Sequence, residues 1–81
     1  MLSRGNGRKD IFRDDRDRLT FLDVLGEMSD QYHVDVFAYT LMTNHYHILL
    51  RTIGANLSQS MQWLALTYTR RFNNRHGRSG H

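Results

Sequence analysis

The chain has 81 residues, enough for one small domain with a modest core, and no apolar run in it reaches the length of a membrane span. It contains no cysteine, which excludes disulfides and thiolate metal ligands and fits a reducing, cytoplasmic location. The formal net charge is +3 and the isoelectric point is near 9.8, so a polyanion such as DNA or RNA is favoured as a partner, and a membrane is not expected.

The first ten residues combine turn-forming and basic residues and lack the apolar core of a signal peptide. Glycine and asparagine in the run SRGNGRK favour a turn, and the cations Arg4, Arg8 and Lys9 are candidates for phosphate contacts. Composition alone favours a flexible terminus over a phosphate-binding loop, and both interpretations stay open here. The next two residues, Ile11 and Phe12, are expected to anchor this segment to the core.

A first amphipathic helix is predicted from Asp15 to about Tyr32. The carboxylate of Asp14 is suited to cap the first turn, and Asp17 lies near the positive end of the helix dipole. Apolar residues then recur at spacings of three and four, namely Phe21, Leu22, Leu25, Met28 and Tyr32. The aspartates at 14, 15 and 17 alternate with arginines, so we interpret them as helix-start acids rather than as a metal site.

Two strands in a hairpin are predicted next. Val34 to Met42 is rich in β-branched and aromatic residues and almost continuously apolar, which predicts a strand covered on both faces. The short connection Thr43-Asn44 favours an antiparallel hairpin, with asparagine tolerating a positive φ. The second strand runs from about His45 to Arg51.

A second helix is predicted from Leu57 to about Asn74. Asn56 is suited to cap it, with Gln59 at the reciprocal capping-box position. One apolar stripe contains Leu57, Met61, Leu64, Tyr68 and Phe72. Trp63 lies off this stripe, and it either packs on the sheet or offers a base a stacking surface. The helix end and the residues after it are basic, which favours phosphate contacts by Arg70, Arg71, Arg75 and Arg78.

The residues most suggestive of chemistry are His45 and His47 at the start of the second strand. Strand residues two apart share a face, so the two imidazoles project side by side while Tyr46, Ile48 and Leu50 fill the opposite face. Two imidazoles placed in this way can share one metal ion. The spacing also occurs by chance, as two polar residues on a half-exposed face.

The segment YTLMTNHYHILL resembles the pattern aromatic-x-Leu-Met-Pro-Asn-His-x-His-apolar of the single-tyrosine HUH transposases of bacterial insertion sequences and of the REP-associated tyrosine transposases. The resemblance extends to SRGNGRKDIFRDDRDRLTFLDVL before it and to LSQSMQWLALTYTRRFNNRHGRSGH after it, and therefore covers nearly the whole chain. Thr43 stands where the family has proline. Members usually also have a longer first strand, and a later helix that bears the nucleophilic tyrosine.

Together these observations predict an α+β fold. The order of a short strand at about Leu2 to Arg4, a helix, two strands and a helix is most of a ferredoxin-like βαββαβ unit. We expect a truncated antiparallel sheet with two helices on one face and the histidines on the other, in a single HUH transposase-like domain at residues 1–81 that lacks the nucleophile helix.

The resemblance implies an activity as well. The family cuts single-stranded DNA beside a hairpin through a tyrosine–phosphate bond, with a divalent cation, Mg²⁺ or Mn²⁺, on the HUH histidines, which here are His45 and His47. The nucleophile is expected to be absent from this chain. Tyr46 points away from the histidine face, Tyr39 is expected inside a covered strand, and Tyr32 and Tyr68 lie on apolar stripes.

Three functional hypotheses follow. The leading one is a truncated HUH transposase that binds hairpin or single-stranded DNA and a divalent metal. The second is a non-catalytic module that binds nucleic-acid hairpins, and the third is a small metal-dependent hydrolase. A homodimer is also predicted, because the strand from His45 to Arg51 is expected to lack a full neighbour and unpaired strand edges associate.

Overall fold

Two helices cover one face of a three-stranded antiparallel sheet in the computed structural model, which describes residues 2–5 and 10–77. The elements are β1 (Leu2–Gly5), α1 (Asp15–Tyr32), β2 (Val34–Leu41), β3 (His45–Thr52) and α2 (Leu57–Arg75). The strand order β1-β3-β2 is that of the first three strands of a ferredoxin-like unit. The predicted α+β fold is confirmed.

Strand β3 lies in the centre of the sheet. It pairs with β1 from Gly5 opposite His45 to Leu2 opposite Ile48, and with β2 along its length. The expectation that β3 lacks a full neighbour therefore holds only for its second half, because β1 pairs with residues 45–48 in the described part of the chain. Among the described residues only the second half of β3 pairs with β2 alone, and the outer edges of the sheet belong to β1 and β2.

Strand β2 is mostly exposed, which corrects the prediction of a strand covered on both faces. Only Val34 is fully buried, whereas Phe37 and Tyr39 are 60% and 50% exposed. The register shifts between Val36 and Ala38, which is a β-bulge. A continuous apolar run was taken to mean burial, but β2 has no helix over its open face and no further strand beside it in the described part of the chain.

The first helix has the predicted bounds. Asp14 adopts an extended conformation and its carboxylate accepts the Asp17 backbone N–H at 3.0 Å. The helix ends where His33 takes the left-handed conformation at φ 57°, with its N–H bonded to the Ser29 carbonyl. The first helix contributes Phe21, Val24, Leu25 and Met28 to the core, and the second contributes Met61, Leu64, Tyr68 and Phe72.

The cap of α2 differs from the prediction. Asn56 is the N-cap residue, but its side chain makes no capping bond, so no capping box with Gln59 forms. The Asn56 side-chain amide instead donates to the Tyr32 carbonyl at 2.7 Å. This bond fixes the end of α1 to the start of α2. Because it joins residues far apart in the chain, the local sequence around Asn56 could not predict it.

The segment before α1 is hydrogen-bonded to the turn of the β2–β3 hairpin. The Thr43 carbonyl accepts the N–H groups of Ile11 at 2.9 Å and Phe12 at 3.1 Å, and Phe12 is 1% exposed. The anchor role predicted for these two residues is confirmed. Asn44 does not adopt the predicted positive φ, which in the described residues occurs only at His33 and Gly77.

An ion cluster joins the first turn of α1 to the end of α2. Asp17 is 1% exposed and accepts hydrogen bonds from the Arg13 backbone N–H at 2.9 Å, from Arg75 at 2.6 Å and from His76 at 2.9 Å. Arg75 also donates to both carboxylate oxygens of Asp14 at 2.7 Å. The interpretation of these aspartates as helix-start acids is right. Asp14 and Asp17 also bind Arg75 and so connect α1 to α2.

The pKa values of both carboxyl groups are lowered. Hydrogen bonding by Arg75 lowers the pKa of Asp14 most, and the Asp17 backbone N–H adds to it. Burial alone would raise the pKa of Asp17, but hydrogen bonds from Arg13, Arg75 and His76 outweigh it and lower the pKa. Both groups are therefore carboxylates at neutral pH.

Candidate functional site

His45 and His47 lie on the face of β3 that the helices leave open. Both are partly exposed, whereas the alternate residues Tyr46 and Ile48 are 4% and 0% exposed and belong to the core. Strand alternation produces this arrangement, because Tyr46 packs on Phe21 of α1 at a ring distance of 4.7 Å. The dry layer behind β3 fixes the backbone that presents the two imidazoles.

The two imidazole rings stand close enough to share a ligand. Their centroids are 5.1 Å apart and their planes are inclined by 83°. Two imidazoles that each bind one metal ion through nitrogen at about 2 Å have ring centroids roughly 5 Å apart when the angle at the metal is near 90–100°. The spacing therefore fits one shared divalent ion.

The hydrogen bonding of the two rings differs. The Nδ1 of His45 lies 2.8 Å from the Asn44 side-chain oxygen, and since that oxygen only accepts, Nδ1 carries the proton and Nε2 keeps its lone pair. The Nδ1 of His47 is buried and has no hydrogen-bond partner in the described part of the chain. A buried polar atom without a partner costs about 1–3 kcal/mol, and such atoms concentrate at functional sites.

The two histidines offer two nitrogen donors to a metal ion. No group of three or more histidine, cysteine, aspartate or glutamate side chains that could hold a metal ion occurs among residues 2–5 and 10–77. Two nitrogen donors leave the remaining coordination positions to oxygen ligands, such as water or phosphate, which Mg²⁺ and Mn²⁺ prefer. The donor set present thus fits a divalent cation that shares its coordination sphere with a substrate.

Strand β2 adds a polar residue to the histidine face, and the β1 backbone flanks the histidines on the other side. Thr40 of β2 pairs with His47, and on the other side Ser3 and Gly5 of β1 pair with His47 and His45. Further along the face Arg51 binds Asp35 at 3.0 Å and stacks over Phe37 at 5.6 Å. We did not single out residues 35, 37, 40 or 51 from the sequence, although alternation from His47 already places Arg51 on this face.

The sequence profile described as "Transposase IS200 like" matches residues 2–81. The chain belongs to the IS200-like transposase family. Searches of curated proteins and of solved structures found no match. The family assigns the protein a role in DNA transposition and hence an interaction with DNA. No helix in the described part of this transposase is long and apolar enough to cross a membrane.

None of the four tyrosines of this transposase presents its hydroxyl on the histidine face. Tyr46 lies in the core, and Tyr32 is partly buried against Trp63. Tyr39 was predicted to be covered but is exposed. It pairs with Ile48, so its side chain lies on the sheet face opposite the histidines.

Tyr68 is poorly suited to act as a nucleophile. It is 6% exposed and its hydroxyl donates to the Ile11 carbonyl. Burial raises the pKa of Tyr68 far above its usual range, and the nearby Asp17 carboxylate raises it further. The phenolate form that attacks phosphorus is therefore disfavoured.

The predicted DNA-contacting cations fall into three groups. The side chains of Arg8, Lys9 and Arg78 lie outside the described residues, and Arg4 is placed only by its pairing with Tyr46. Arg71 binds Glu27 at 2.9 Å and Arg75 belongs to the ion cluster. Arg70 is exposed at the end of α2. Two of the arginines thus have a structural role that the sequence did not indicate.

Trp63 packs against the core and does not stand free for a base. It is partly buried, contacts the core cluster and lies 6.2 Å from the ring of Tyr32. Packing, the first of the two roles considered for it, is what the structure supports. An aromatic surface for a base must be sought elsewhere on the molecule.

Proposed function

We propose that this chain is the DNA- and metal-binding part of an HUH-type transposase that acts on single-stranded DNA beside a hairpin. The observation that carries the proposal is the pair of imidazoles on the open sheet face, with a ring distance of 5.1 Å and a buried, unpartnered Nδ1 on His47. His45 and His47 would hold the divalent cation, Mg²⁺ or Mn²⁺. Family membership supplies the substrate class, DNA.

The chain's own residues prepare this site in two ways. The Asn44 side-chain oxygen accepts a hydrogen bond from Nδ1–H of His45 and so leaves the Nε2 lone pair of that ring for a ligand. The hydrophobic layer of Tyr46 and Ile48 holds β3 rigid, which keeps both rings in place without a bound ligand. When bound, the cation would supply charge that stabilises the phosphate oxygens of the scissile bond.

The nucleophile is the second element of the proposal. Because no tyrosine hydroxyl shares the histidine face, we propose that residues 1–81 bind DNA without forming the covalent tyrosine–phosphate bond. This also makes a non-catalytic, hairpin-binding module the second candidate function. The two candidates differ in the cation, since only a transposase site requires Mn²⁺ or Mg²⁺ on His45 and His47.

A labelled DNA hairpin with a single-stranded flank, incubated with the protein and Mn²⁺, tests the proposed function. We expect a retarded band on a native gel and no adduct on a denaturing gel. An adduct that survives denaturant would show that one of the four tyrosines is competent. Release of a free 5′-phosphate without an adduct would support a metal-dependent hydrolase, and absence of any retardation would refute DNA binding.

The salt dependence of hairpin binding is expected to be steep, with Arg70 contributing. Each phosphate contact releases counterions, so replacing Arg70 by glutamine should reduce the slope of log affinity against log salt by about 0.7–0.9. Arg71→Gln is the comparison variant. Because Glu27 already offsets the charge of Arg71, this substitution should change the slope less than Arg70→Gln does. Fluorescence anisotropy at several salt concentrations gives both slopes, and an unchanged slope for Arg70→Gln would place the DNA surface elsewhere.

We propose further that the protein forms a homodimer. The outer edge of β2 has no partner strand in the described residues, and unpaired strand edges associate. Sedimentation equilibrium at micromolar concentration should give twice the mass of 9.6 kDa. A single monomeric species that unfolds cooperatively would contradict the proposal.

A further inference from the structure

Phe37 is a large aromatic side chain that the fold leaves 60% exposed. It occupies the β-bulge of β2, where the register with β3 shifts between Val36 and Ala38. Bulges are found next to active sites, where they redirect a side chain. The exposure of Phe37 is therefore a consequence of where the extra residue is inserted, and not of a frayed strand end.

The bulge determines what faces the histidines. With the extra residue, Ala38 pairs with Leu49 and Thr40 pairs with His47. An unbroken register from Val36 opposite Leu50 would instead set Tyr39 opposite His47. The inserted residue thus keeps a small polar side chain beside the imidazoles and places Phe37 further along the same face.

The Arg51 guanidinium lies over one face of the Phe37 ring. It lies 5.6 Å from the Phe37 ring centre, and Asp35 binds it at 3.0 Å. The Arg51 side chain is 68% exposed, so the cation over the ring remains open to solvent. An exposed ring with an adjacent arginine is the combination on which single-stranded nucleic acids stack.

The distance along β3 allows one single-stranded DNA segment to contact both the histidine pair and the Phe37 ring. Leu49 and Arg51 follow His47 by two and four residues on the same face, which is about 7 and 13 Å at the rise of a strand. Phe37 lies beside these residues. A strand whose phosphate sits at His45 and His47 therefore has neighbouring bases within reach of the Phe37 ring.

We propose that Phe37, with Arg51 beside it, is a stacking site for an unpaired base of single-stranded DNA whose phosphodiester lies at His45 and His47. The proposal rests on the proposed function and extends it to a specific substrate contact. The exposed guanidinium of Arg51 over the exposed Phe37 ring favours a flat, polar base over an apolar protein surface as the occupant. The Asp35 carboxylate positions Arg51.

The test compares Phe37→Leu, Phe37→Trp and Tyr39→Leu in binding to a fluorescent single-stranded oligothymidylate in the presence of Mn²⁺. Phe37→Leu should weaken affinity about 5- to 100-fold, as expected for the loss of one base–aromatic stack. Phe37→Trp should bind at least as well as the wild type. Tyr39→Leu is the matched control, since it removes an equally exposed aromatic from the opposite face of the same strand, and should change affinity less than about twofold.

Salt provides the second readout. Because stacking releases no counterions, Phe37→Leu should keep the wild-type slope of log affinity against log salt. If the wild type binds and Phe37→Leu binds equally well, the stacking site is refuted while the proposed function stands. If Phe37→Leu instead lowers self-association in sedimentation and leaves DNA affinity unchanged, the face is a protein interface. A wild type that does not bind refutes both.

Discussion

Replacing Asp17 by alanine is expected to lower the free energy of unfolding by about 3 kcal/mol, because removing one partner of a buried ion pair leaves the others unpaired. Asp17 is 1% exposed and accepts hydrogen bonds from the Arg13 backbone, Arg75 and His76. Without it, the Arg75–Asp14 pair is what remains of this cluster between the start of α1 and the end of α2.

Urea denaturation followed by circular dichroism measures this change. The matched control is Asp15→Ala, which removes a first-turn aspartate whose side chain is 97% exposed and pairs with Arg18 at 3.4 Å. The control should leave the free energy of unfolding nearly unchanged. Equal small effects of the two substitutions would mean that the ion cluster does not hold the helices together.

The ion cluster also makes stability depend on acid. The pKa values of Asp14 and Asp17 are lower in the folded protein than in the unfolded chain, so the stability they contribute is present above about pH 4 and is lost as the pH falls below it. The free energy of unfolding of the wild type should therefore fall steeply below about pH 4. The variant Asp14→Asn/Asp17→Asn should start lower and fall less, and parallel curves would contradict this cause.

The double variant His45→Ala/His47→Ala is expected to lose Mn²⁺ binding and to keep its fold. Both side chains are partly exposed on the open face, and the Nδ1 of His47 makes no hydrogen bond in the described residues that the substitution would remove. We therefore expect no measurable Mn²⁺ heat in calorimetry and a free energy of unfolding within about 1 kcal/mol of the wild type.

His33→Asn is the matched control for this variant. His33 is exposed at the end of α1 with φ 57°, and asparagine tolerates that conformation better than alanine. The control should bind Mn²⁺ with the affinity of the wild type. Equal affinity of the wild type and the double variant would remove the metal ion from His45 and His47.

Local signals were sufficient to predict the elements of the fold. The cap residue Asp14 and the spacing of apolar residues after it give the bounds of α1, and alternation around Tyr46 and Ile48 gives the two faces of β3. These features depend on residues within one or two turns of each other, and the histidine face follows from them. The family pattern adds the α+β order and the transposase assignment.

Features that require distant partners were missed. Arg75 and Asp17 are 58 residues apart and Arg71 and Glu27 are 44 apart, so the basic stretch at the end of α2 gave no sign that two of its arginines bind α1. The bulge at Phe37 arises from pairing with β3 and cannot be recognised in a run of apolar residues. The apolar residues of β2 were expected to be buried for the same reason, but most of the strand, including Phe37 on the histidine face, is exposed.

The most direct test of a joint metal and DNA site is the effect of Mn²⁺ on DNA affinity. Anisotropy of a labelled DNA hairpin with a single-stranded flank is measured with and without Mn²⁺, for the wild type and for His45→Ala/His47→Ala. If both ligands meet at the histidines, Mn²⁺ strengthens binding by the wild type and leaves the double variant unaffected. An equal effect of Mn²⁺ on both proteins, or none on either, would contradict the assignment of His45 and His47 as the place where metal and DNA meet.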